Sequence, residues 1–288
     1  MPRNTPAGDL LDRIQNLTRE WRLTIEESFE TETSVISYAN RDGQSLVLKV
    51  VKRENDEWNA GNVLSVFGGN GMVRVHQYTD GAMLLERLRP GTSLAHIAGD
   101  GGDEQATDIL ARVIEQMSPR EAPNGCATVT DWAKAFDRYL ATDDMRIPRG
   151  LVESAQQMFA DLGASQSRPR LLHGDLHHYN VLSDSNRGWL AIDPKGVTGE
   201  LEYEIGAVLR NPYQHPELFL SRPVIERRLK QFTSRLSLNY ERTVRWAFAQ
   251  AVLSAIWDVE DGFTVDATDA SLRLAGIIQP MLALNSVH

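Results

Sequence analysis

The sequence predicts an α+β protein of two lobes, in which a small antiparallel-sheet lobe precedes a larger, mostly helical lobe. Three observations support this fold class. Hairpin signals dominate the first 89 residues, Pro90-Gly91 interrupts the chain directly after them, and helical stripes of apolar residues follow. We therefore predict a first lobe of residues 1–89 and a second lobe of residues 90–288.

The first lobe alternates between helices and hairpins. Its opening helix carries apolar residues at spacings of three and four, which places them on one face. Asp42-Gly43 and Asp80-Gly81 each lie between two apolar runs, which is a signal for a β-hairpin. The predicted elements are a helix over 9–21, a hairpin of 33–38 with 45–51, a helix over 54–67, and a hairpin of 72–78 with 82–88.

The second lobe has a helical pattern with one polar interruption. Apolar residues recur at helical spacing over residues 106–117 and again over residues 244–259. Between them, residues 171–192 contain short apolar runs that alternate with a dense group of polar side chains. Because a buried carboxylate without a partner is costly, this group indicates a site that holds a proton or a metal ion.

The composition limits the possible partners. With 30 Lys and Arg against 39 Asp and Glu, the 288-residue chain has a formal net charge of −9. That charge argues against a general nucleic-acid binder, which needs a basic surface, and against docking on an anionic membrane. Residues 257–269 hold five acids and no lysine or arginine, which favours a small cationic partner.

Signals for targeting and for cross-linking are missing from the sequence. No run of about 18 apolar residues predicts a membrane span, and no apolar segment typical of a secretory signal follows the first residues. Cys126 is the single cysteine, which excludes an internal disulfide. We expect a cytoplasmic protein that is a monomer or a weak dimer.

The polar group within residues 171–192 has the spacing that phosphoryl transfer requires. One carboxylate must orient the attacking hydroxyl, and hard oxygen ligands must hold Mg²⁺ against the phosphates. Asn180 follows Asp175 by five positions, and Asp193 ends the next apolar run, Leu190–Ile192. Kinases place their base and their two metal ligands in this order. The pattern predicts Asp175 as the catalytic base, with Asn180 and Asp193 as magnesium ligands.

The nucleotide groups of a kinase are then expected upstream. A kinase needs a strand lysine on the phosphates and a helix glutamate that pairs with it. Lys49 lies within an apolar strand, where an unpaired cation would be costly. Glu57 in the predicted helix is our choice of partner, and Glu54 is the second choice. Glu86 and Leu88 lie just before the Pro-Gly break, where the connection between the lobes would bind adenine.

The sequence resembles the aminoglycoside phosphotransferase superfamily in the string His173-Gly174-Asp175-Leu176-His177, in Asn180, and in Ile192-Asp193-Pro194. Trp189 to Gly196 and Leu84 to Leu94 are similar to its streptomycin 6-kinase and hydroxyurea phosphotransferase branch. This resemblance covers nearly the whole chain. It implies a two-lobed protein-kinase-like fold, ATP and Mg²⁺ as cofactors, and transfer of the γ-phosphoryl group to a hydroxyl, with an aminoglycoside such as streptomycin as the expected acceptor.

The resemblance also implies roles for individual residues. Lys49 would contact the phosphates, and Glu204 would brace the catalytic loop, although the family often has aspartate there. His173 is expected to hold the loop by hydrogen bonds. His177 has the position that many protein kinases give to a phosphate-facing lysine. Residues 29–34, the segment expected to cover the nucleotide, contain none of the glycines that protein kinases carry there.

Acidic residues of the second lobe are the candidates for acceptor binding. Glu200 belongs to a group of acids near residue 202. Asp258, Glu260 and Asp261 end the amphipathic helix predicted over residues 244–259. Their carboxylates would suit the guanidinium groups of streptomycin.

Other interpretations remain open at this point. A metabolite kinase for a sugar, a choline-like amine or a hydroxyurea-like hydroxamate would use the same catalytic groups. A nucleotide-binding pseudokinase is disfavoured because Lys49, Asp175, Asn180 and Asp193 are all present. A protein kinase is disfavoured because no Ala-Pro-Glu string follows Asp193.

Overall fold

A computed structural model describes residues 7–117 and 119–284, and it contains the two predicted parts, a sheet followed by a helical lobe. The strands of the first sheet are β1 (Thr24–Glu30), β2 (Ser34–Arg41), β3 (Gln44–Val51), β4 (Val75–Thr79) and β5 (Ala82–Glu86). They pair antiparallel in the order β1-β2-β3-β5-β4. Helix α1 (Ala7–Glu20) packs on one face of this sheet, and α2 (Ala60–Phe67) packs on the other.

The alternation of side chains along β3 fixes the direction of Lys49. Leu46, Leu48 and Val50 lie in the core beneath α1. Because successive side chains of a strand point to opposite faces, Val47 and Lys49 point away from α1. Both line the cleft between the two parts of the molecule.

The helix predicted over residues 54–67 is shorter in the structure. The side-chain oxygen of Asn55 accepts a hydrogen bond from the Glu57 N–H at 2.9 Å, which closes a local turn. Helix α2 therefore begins only at Ala60 and ends at Gly68, whose positive φ of 60° caps it. Glu57 lies in the turn before the helix rather than within it.

Strand β1 is an element that the sequence pattern did not indicate. It pairs with β2 at the edge of the sheet, and six of its seven side chains are exposed. A strand without a buried face has no alternation of apolar and polar residues to reveal it. The β1–β2 hairpin extends over the cleft.

The second part is mostly helical. Its helices are α3 (Leu94–Ile97), α4 (Asp103–Met117), α5 (Val129–Trp132), α6 (Lys134–Leu140), α7 (Arg149–Ala164), α8 (Leu201–Leu209), α9 (Pro216–Phe219), α10 (Arg222–Leu236), α11 (Tyr240–Glu260) and α12 (Ala270–Leu284). Its short strands are β6 (Pro90–Ser93), β7 (Arg170–Leu172), β8 (Val181–Asp184), β9 (Gly188–Ala191) and β10 (Val197–Gly199). Helix α11 lies at the centre, packed against α7, α8 and α12.

The short strands position the polar segment found in the sequence. Strand β7 pairs with β10, and β8 pairs with both β6 and β9. The loop from β7 to β8 holds Asp175 and Asn180, and Asp193 follows the end of β9. The N–H of Ile192 donates to the carbonyl of Asn180 at 2.9 Å, which brings the two segments side by side.

Backbone hydrogen bonds connect the two parts behind the cleft. The N–H of Val73 donates to the carbonyl of Ala191, and the N–H of Ala191 donates to the carbonyl of Gly71, both at 2.8 Å. Residues 71–73 are therefore engaged with β9, and β4 begins at Val75 rather than at the predicted residue 72. The larger core also includes α2, so it extends across this junction. The lobe boundary at residue 89 stays a prediction.

The helices of the described residues have no membrane-spanning character. Across residues 7–117 and 119–284, none is both long enough and apolar enough to cross a bilayer.

Candidate active site

A cleft of about 630 Å³ lies between the first sheet and the second lobe. Its walls combine apolar side chains, which suit a flat aromatic ring, with the charged groups Lys49 and Asp193 at one end. The segment from Leu85 to Gly91, which connects the two lobes, forms one side. The cleft therefore lies where the sequence predicts nucleotide binding.

Lys49 forms ion pairs with two carboxylates at the cleft. Its Nζ lies 2.6 Å from Glu57 Oε2 and 2.7 Å from Asp193 Oδ1, and the side chain is only 5% exposed. A buried ammonium ion without partners would cost several kcal/mol, and the two carboxylates offset that cost. Burial alone would lower the pKa of Lys49, but Asp193 and Glu57 outweigh it, and the pKa is raised.

Glu57 is held in place from two other directions. Its backbone N–H is engaged by Asn55, as described above, and its Oε1 accepts a hydrogen bond from the Thr33 hydroxyl at 3.2 Å. Thr33 belongs to the tip of the β1–β2 hairpin, so this bond joins the nucleotide-covering segment to the lysine pair. Glu54, the second choice from sequence, makes no ion pair with Lys49 in the described structure.

Glu86 and Leu88 both line the cleft, as the sequence predicts. The carboxylate of Glu86 is already engaged, because it accepts a hydrogen bond from the Arg74 N–H at 2.7 Å and forms an ion pair with Arg187. Its side chain thus joins the end of β5 to the β8–β9 hairpin. Leu88 contributes an apolar wall.

Glu204 holds the loop between β7 and β8, which contains the predicted base Asp175, through hydrogen bonds to its backbone. This buried carboxylate accepts hydrogen bonds from the N–H groups of His173 at 2.7 Å and Gly174 at 3.1 Å. Burial raises the pKa of Glu204 to about 7, although these hydrogen bonds act in the opposite direction. The longer glutamate therefore reaches the loop where the family often has aspartate.

His173 supports the same loop through both ring nitrogens. Its Nε2 lies 2.8 Å from the carbonyl of Ile192, and its Nδ1 accepts a hydrogen bond from the Asp175 N–H at 3.2 Å. These partners require a neutral ring protonated on Nε2. Burial lowers the pKa of His173 to about 4, so the ring stays neutral at ordinary pH. This geometry favours the loop-holding role over a titrating one.

Asp175 presents a carboxylate without a direct hydrogen bond in the described structure. Arg210 Nη2 lies 3.7 Å from Oδ1, and Lys195 Nζ and His177 Nε2 lie 3.8 Å and 3.9 Å from Oδ2. These distances exceed a hydrogen bond, so the oxygens remain available to a ligand. Burial alone would raise the pKa of Asp175, but His177, Lys195 and Arg210 lower it to about 2, so the group is ionised.

Asn180 and Asp193 offer the oxygen donors that Mg²⁺ prefers. Asn180 donates through Nδ2 to the backbone carbonyl of Asp175 at 2.9 Å, which leaves its Oδ1 unbonded. Asp193 uses Oδ1 for Lys49, and its Oδ2 has no partner among the described residues. One amide and one carboxylate oxygen, completed by phosphate oxygens and water, form a normal magnesium site. Asn180 and Asp193 therefore provide oxygen atoms that suit a magnesium ion.

His177 lies between the predicted base and the predicted metal ligand. Its Nε2 is 3.4 Å from Asn180 Nδ2, whereas its buried Nδ1 has no partner in the described structure. Burial lowers the pKa of His177, and the carboxylate of Asp175 acts in the opposite direction. A contact with a phosphate remains a prediction for this residue.

The four acidic candidates for acceptor binding have different surroundings. Glu200 is buried, and its carboxylate is bonded by Arg242 and by the Trp246 indole N–H, so it is unavailable to a ligand. Glu260 forms a two-pronged ion pair with Arg138 at 2.8 and 2.9 Å. We therefore leave both out of the acceptor site proposed below.

Asp258 and Asp261, by contrast, lie within the electrostatic influence of Lys195, and Asp258 also within that of Arg210. Burial and the carboxylates of Asp269 and Asp261 raise the pKa of Asp258 to about 6, against the influence of Arg210 and Lys195. Burial also raises the pKa of Asp261, again with Lys195 acting in the opposite direction. Both aspartates make no close ion pair in the described structure.

Lys195 and Arg210 are the groups around Asp175 that the sequence reasoning did not assign. Lys195 follows Asp193 by two positions and also lies 5.6 Å over the Trp257 ring. Arg210 ends α8 and donates to Gln250 at 2.8 Å. The string Pro194-Lys195-Gly196, which carried part of the resemblance, was a signal for the lysine; no comparable local signal marks the arginine.

Comparison with known families decides the class of this site. Residues 21–262 match the family described as aminoglycoside/hydroxyurea antibiotic resistance kinase. The chain belongs to this family. The resemblance predicted from sequence is therefore confirmed, and the protein is a phosphotransferase that acts on hydroxyl groups.

Relatives of known activity cover most of the chain. It is 32% identical over 250 residues to the streptomycin 3''-kinase of Klebsiella pneumoniae, which covers 84% of this chain and 91% of that kinase. It is 30% identical to the streptomycin 6-kinase of Streptomyces griseus, over 80% of this chain and 76% of the relative. The hydroxyurea phosphotransferase of Kitasatospora aureofaciens is 27% identical, over 79% and 66%.

Solved structures confirm the fold. The choline kinase LicA of Streptococcus pneumoniae superposes with a TM-score of 0.64 at 12% identity, over 95% of this chain and 99% of that one. The aminoglycoside phosphotransferase APH(4)-Ia, in a ternary complex with ADP and hygromycin B, gives a TM-score of 0.58 at 16% identity, over 92% and 97%. The predicted two-lobed kinase-like fold is thus correct.

Proposed function

We propose that this kinase transfers the γ-phosphoryl group of ATP to a hydroxyl of an aminoglycoside, with streptomycin as the leading acceptor. One observation carries the proposal. Lys49 is buried between Glu57 and Asp193, and the segment that ends at Asp193 is hydrogen-bonded to the loop that carries Asp175, whose ionised carboxylate is free to accept a hydroxyl proton. The streptomycin kinases among its relatives support the choice of acceptor.

ATP would occupy the cleft with its adenine along Glu86 and Leu88. Its phosphates would extend toward Lys49, and the hydroxyls of Thr31 and Thr33 line the same cleft. Asn180 and Asp193 would hold Mg²⁺, which neutralises charge on the phosphate oxygens when bound. Lys49 would exchange part of its contact with Asp193 for the phosphates.

Asp175 would orient the acceptor hydroxyl in line with the γ-phosphorus. A carboxyl group with a pKa of about 2 is a weak base, so positioning contributes more than early removal of the proton. Lys195 and Arg210 lie close enough to Asp175 to neutralise the charge of the transferred group. They would also keep Asp175 ionised throughout the reaction.

Acceptor recognition would use Asp258 and Asp261. Both lie at the end of α11, where the charge of Lys195 acts on their pKa values, and neither forms an ion pair with another described residue. Carboxylates in this position would bind guanidinium or ammonium groups of the acceptor. A small neutral acceptor such as hydroxyurea would gain nothing from them.

The cellular setting is part of the proposal. ATP is the expected phosphoryl donor, so we place the enzyme in the cytoplasm. A single chain supplies all of the proposed catalytic groups, namely Lys49, Asp175, Asn180 and Asp193. We therefore propose that the enzyme acts as a monomer or a weak dimer.

The test is an ADP-release assay with Mg-ATP and a panel of acceptors. The panel contains streptomycin, other aminoglycosides, hydroxyurea and common amino alcohols. We expect streptomycin to give the highest kcat/KM, with a phosphorylated product by mass spectrometry. Turnover only with hydroxyurea or an amino alcohol would replace the acceptor class, and no Mg-dependent turnover with any acceptor would refute the proposal.

A further inference from the structure

A second, polar cavity is lined in part by Lys195, which also lies beside Asp175. It measures about 280 Å³ and lies between the start of α2, the loop of residues 123–127 and Lys195-Gly196. Asn55, Asn59, Asn62 and Asn124 contribute four side-chain amides to its lining. Of its lining residues, only Lys195 has a role in the function proposed above, so the asparagines and Trp132 are unassigned.

The cavity retains unused hydrogen-bonding capacity. Within the described residues, the side chains of Asn59 and Asn124 form no hydrogen bond, and Asn55 uses only its oxygen, for the Glu57 N–H. Asn62 accepts a hydrogen bond from the Tyr78 hydroxyl at 2.9 Å and keeps its amide nitrogen. All four asparagines are exposed, so these donors and acceptors face solvent along an open groove and could exchange water for a ligand.

The chemistry of the lining favours hydroxyl groups over charges. A carboxamide both donates and accepts, as a hydroxyl does, so a set of amides matches a set of hydroxyls. Trp132 adds the flat apolar surface of an indole. The two charged groups of the lining, Asp56 and Lys195, have opposite signs. A polyhydroxylated ring, such as a sugar or a cyclitol, satisfies this combination.

The cavity shares a wall with the catalytic site. Lys195 Nζ lies 3.8 Å from Asp175 Oδ2 and 3.9 Å from Asp56 Oδ2, so one side chain borders both. Trp132 also touches the catalytic loop, because a Cβ built on Gly174 would lie 2.8 Å from its ring. A ligand in the cavity would therefore lie beside Lys195, the residue that also borders Asp175.

We propose that this cavity is a second acceptor subsite, in which the asparagines and Trp132 bind a hydroxyl-bearing ring of the acceptor while another part of it reaches Asp175. The inference rests on the proposed function, since it assumes a multi-ring acceptor. The subsite would contribute to acceptor specificity, because an acceptor without such a ring would not make these contacts.

The first test is the double variant Asn59→Ala/Asn124→Ala, assayed with streptomycin. Losing hydrogen bonds from both amides is expected to raise the KM for streptomycin about tenfold, with the KM for ATP within about twofold of wild type. Asn16→Ala, on the exposed face of α1, is the matched control and should change neither constant. An unchanged streptomycin KM in the double variant would overturn the proposal.

The second test uses the wild-type enzyme and needs no variant to fold. Cys126 is the single cysteine and lines the cavity. We expect streptomycin to slow its alkylation by iodoacetamide several-fold, whereas Mg-ADP alone leaves the rate unchanged. An equal rate with and without saturating streptomycin would overturn the subsite. Failure of the proposed function looks different, since wild-type enzyme would then phosphorylate no aminoglycoside.

Discussion

The two sides of the catalytic centre differ in how far their charges are already paired. On the nucleotide side, Lys49 contacts Glu57 and Asp193 at 2.6 and 2.7 Å. On the acceptor side, Asp175 is surrounded at 3.7 to 3.9 Å by Arg210, Lys195 and His177, and no described residue donates a hydrogen bond to its carboxylate. The first set is assembled before any ligand binds, whereas the second leaves its groups available to the acceptor. Changes on the two sides should therefore have separable effects.

The largest effect is expected at Asp175 itself. In Asp175→Ala the hydroxyl loses its orienting carboxylate, and we expect kcat to fall by about 10²–10⁴-fold. ATP binding should change little, because the groups that pair with Lys49 are untouched. Steady-state kinetics with ATP titration by calorimetry measure both quantities. A variant with near wild-type kcat would remove Asp175 from its role.

The next largest effect on activity is expected on the nucleotide side, where Lys49 is already paired. Glu57→Gln takes one carboxylate from a buried lysine, so we expect kcat/KM for ATP to fall about tenfold or more, with the KM for the acceptor unchanged. Glu54→Gln is the matched control, because Glu54 is not paired with Lys49. Equal losses in the two variants would contradict the pairing as the cause.

A smaller effect is expected on the acceptor side. Asp258→Asn/Asp261→Asn should raise the KM for streptomycin about tenfold and leave the KM for ATP as it is, because two carboxylates that face the cation are lost. Glu260→Gln on the same helix is the control, since Arg138 already neutralises that carboxylate. If Glu260→Gln were as damaging as the double variant, general damage to the end of α11 would be the explanation.

The smallest effect is a dependence on pH. The pKa of Asp258 is raised to about 6, and its ionised form is the one that attracts a cation. As the pH falls from 7.5 to 5.5, Asp258 takes up a proton, so the KM for streptomycin should rise severalfold. Asp258→Asn should flatten this change. A profile that is the same in wild type and variant would assign the titration to another group.

The sequence predicts best the groups that lie within one local segment or beside a buried charge. Asp175, Asn180 and Asp193 lie within 19 positions, and their spacing reflects a local strand-loop-strand geometry. The sequence also indicated Glu57 as the partner of Lys49, although the predicted helix around it was too long. A buried cation such as Lys49 requires an acidic partner in any backbone conformation.

The acceptor side depends on contacts that sequence patterns do not record. The sequence suggested that Glu200 is free to bind the acceptor. In the structure, its carboxylate accepts a hydrogen bond from Arg242, which lies 42 positions away on α11. Glu260 is occupied by Arg138, 122 positions away on α6. Arg210 reaches Asp175 only because α8 ends beside the catalytic loop. Such partners follow from helix packing, for which a single sequence gives no signal.

The hydrogen bonds between residues 71–73 and Ala191 have a consequence for motion. They fasten the rear of the first lobe, together with α2, to the second lobe through backbone groups that a movement of the whole lobe would have to break. Among the described residues, the β1–β2 hairpin is exposed along β1 and is held to the rest of the first lobe by the pairing of β2 with β3 and by the hydrogen bond from Thr33 to Glu57. Opening and closing of the cleft should therefore resemble the lifting of a flap by this hairpin more than the rocking of one lobe on the other, and product release would follow the pace of that flap.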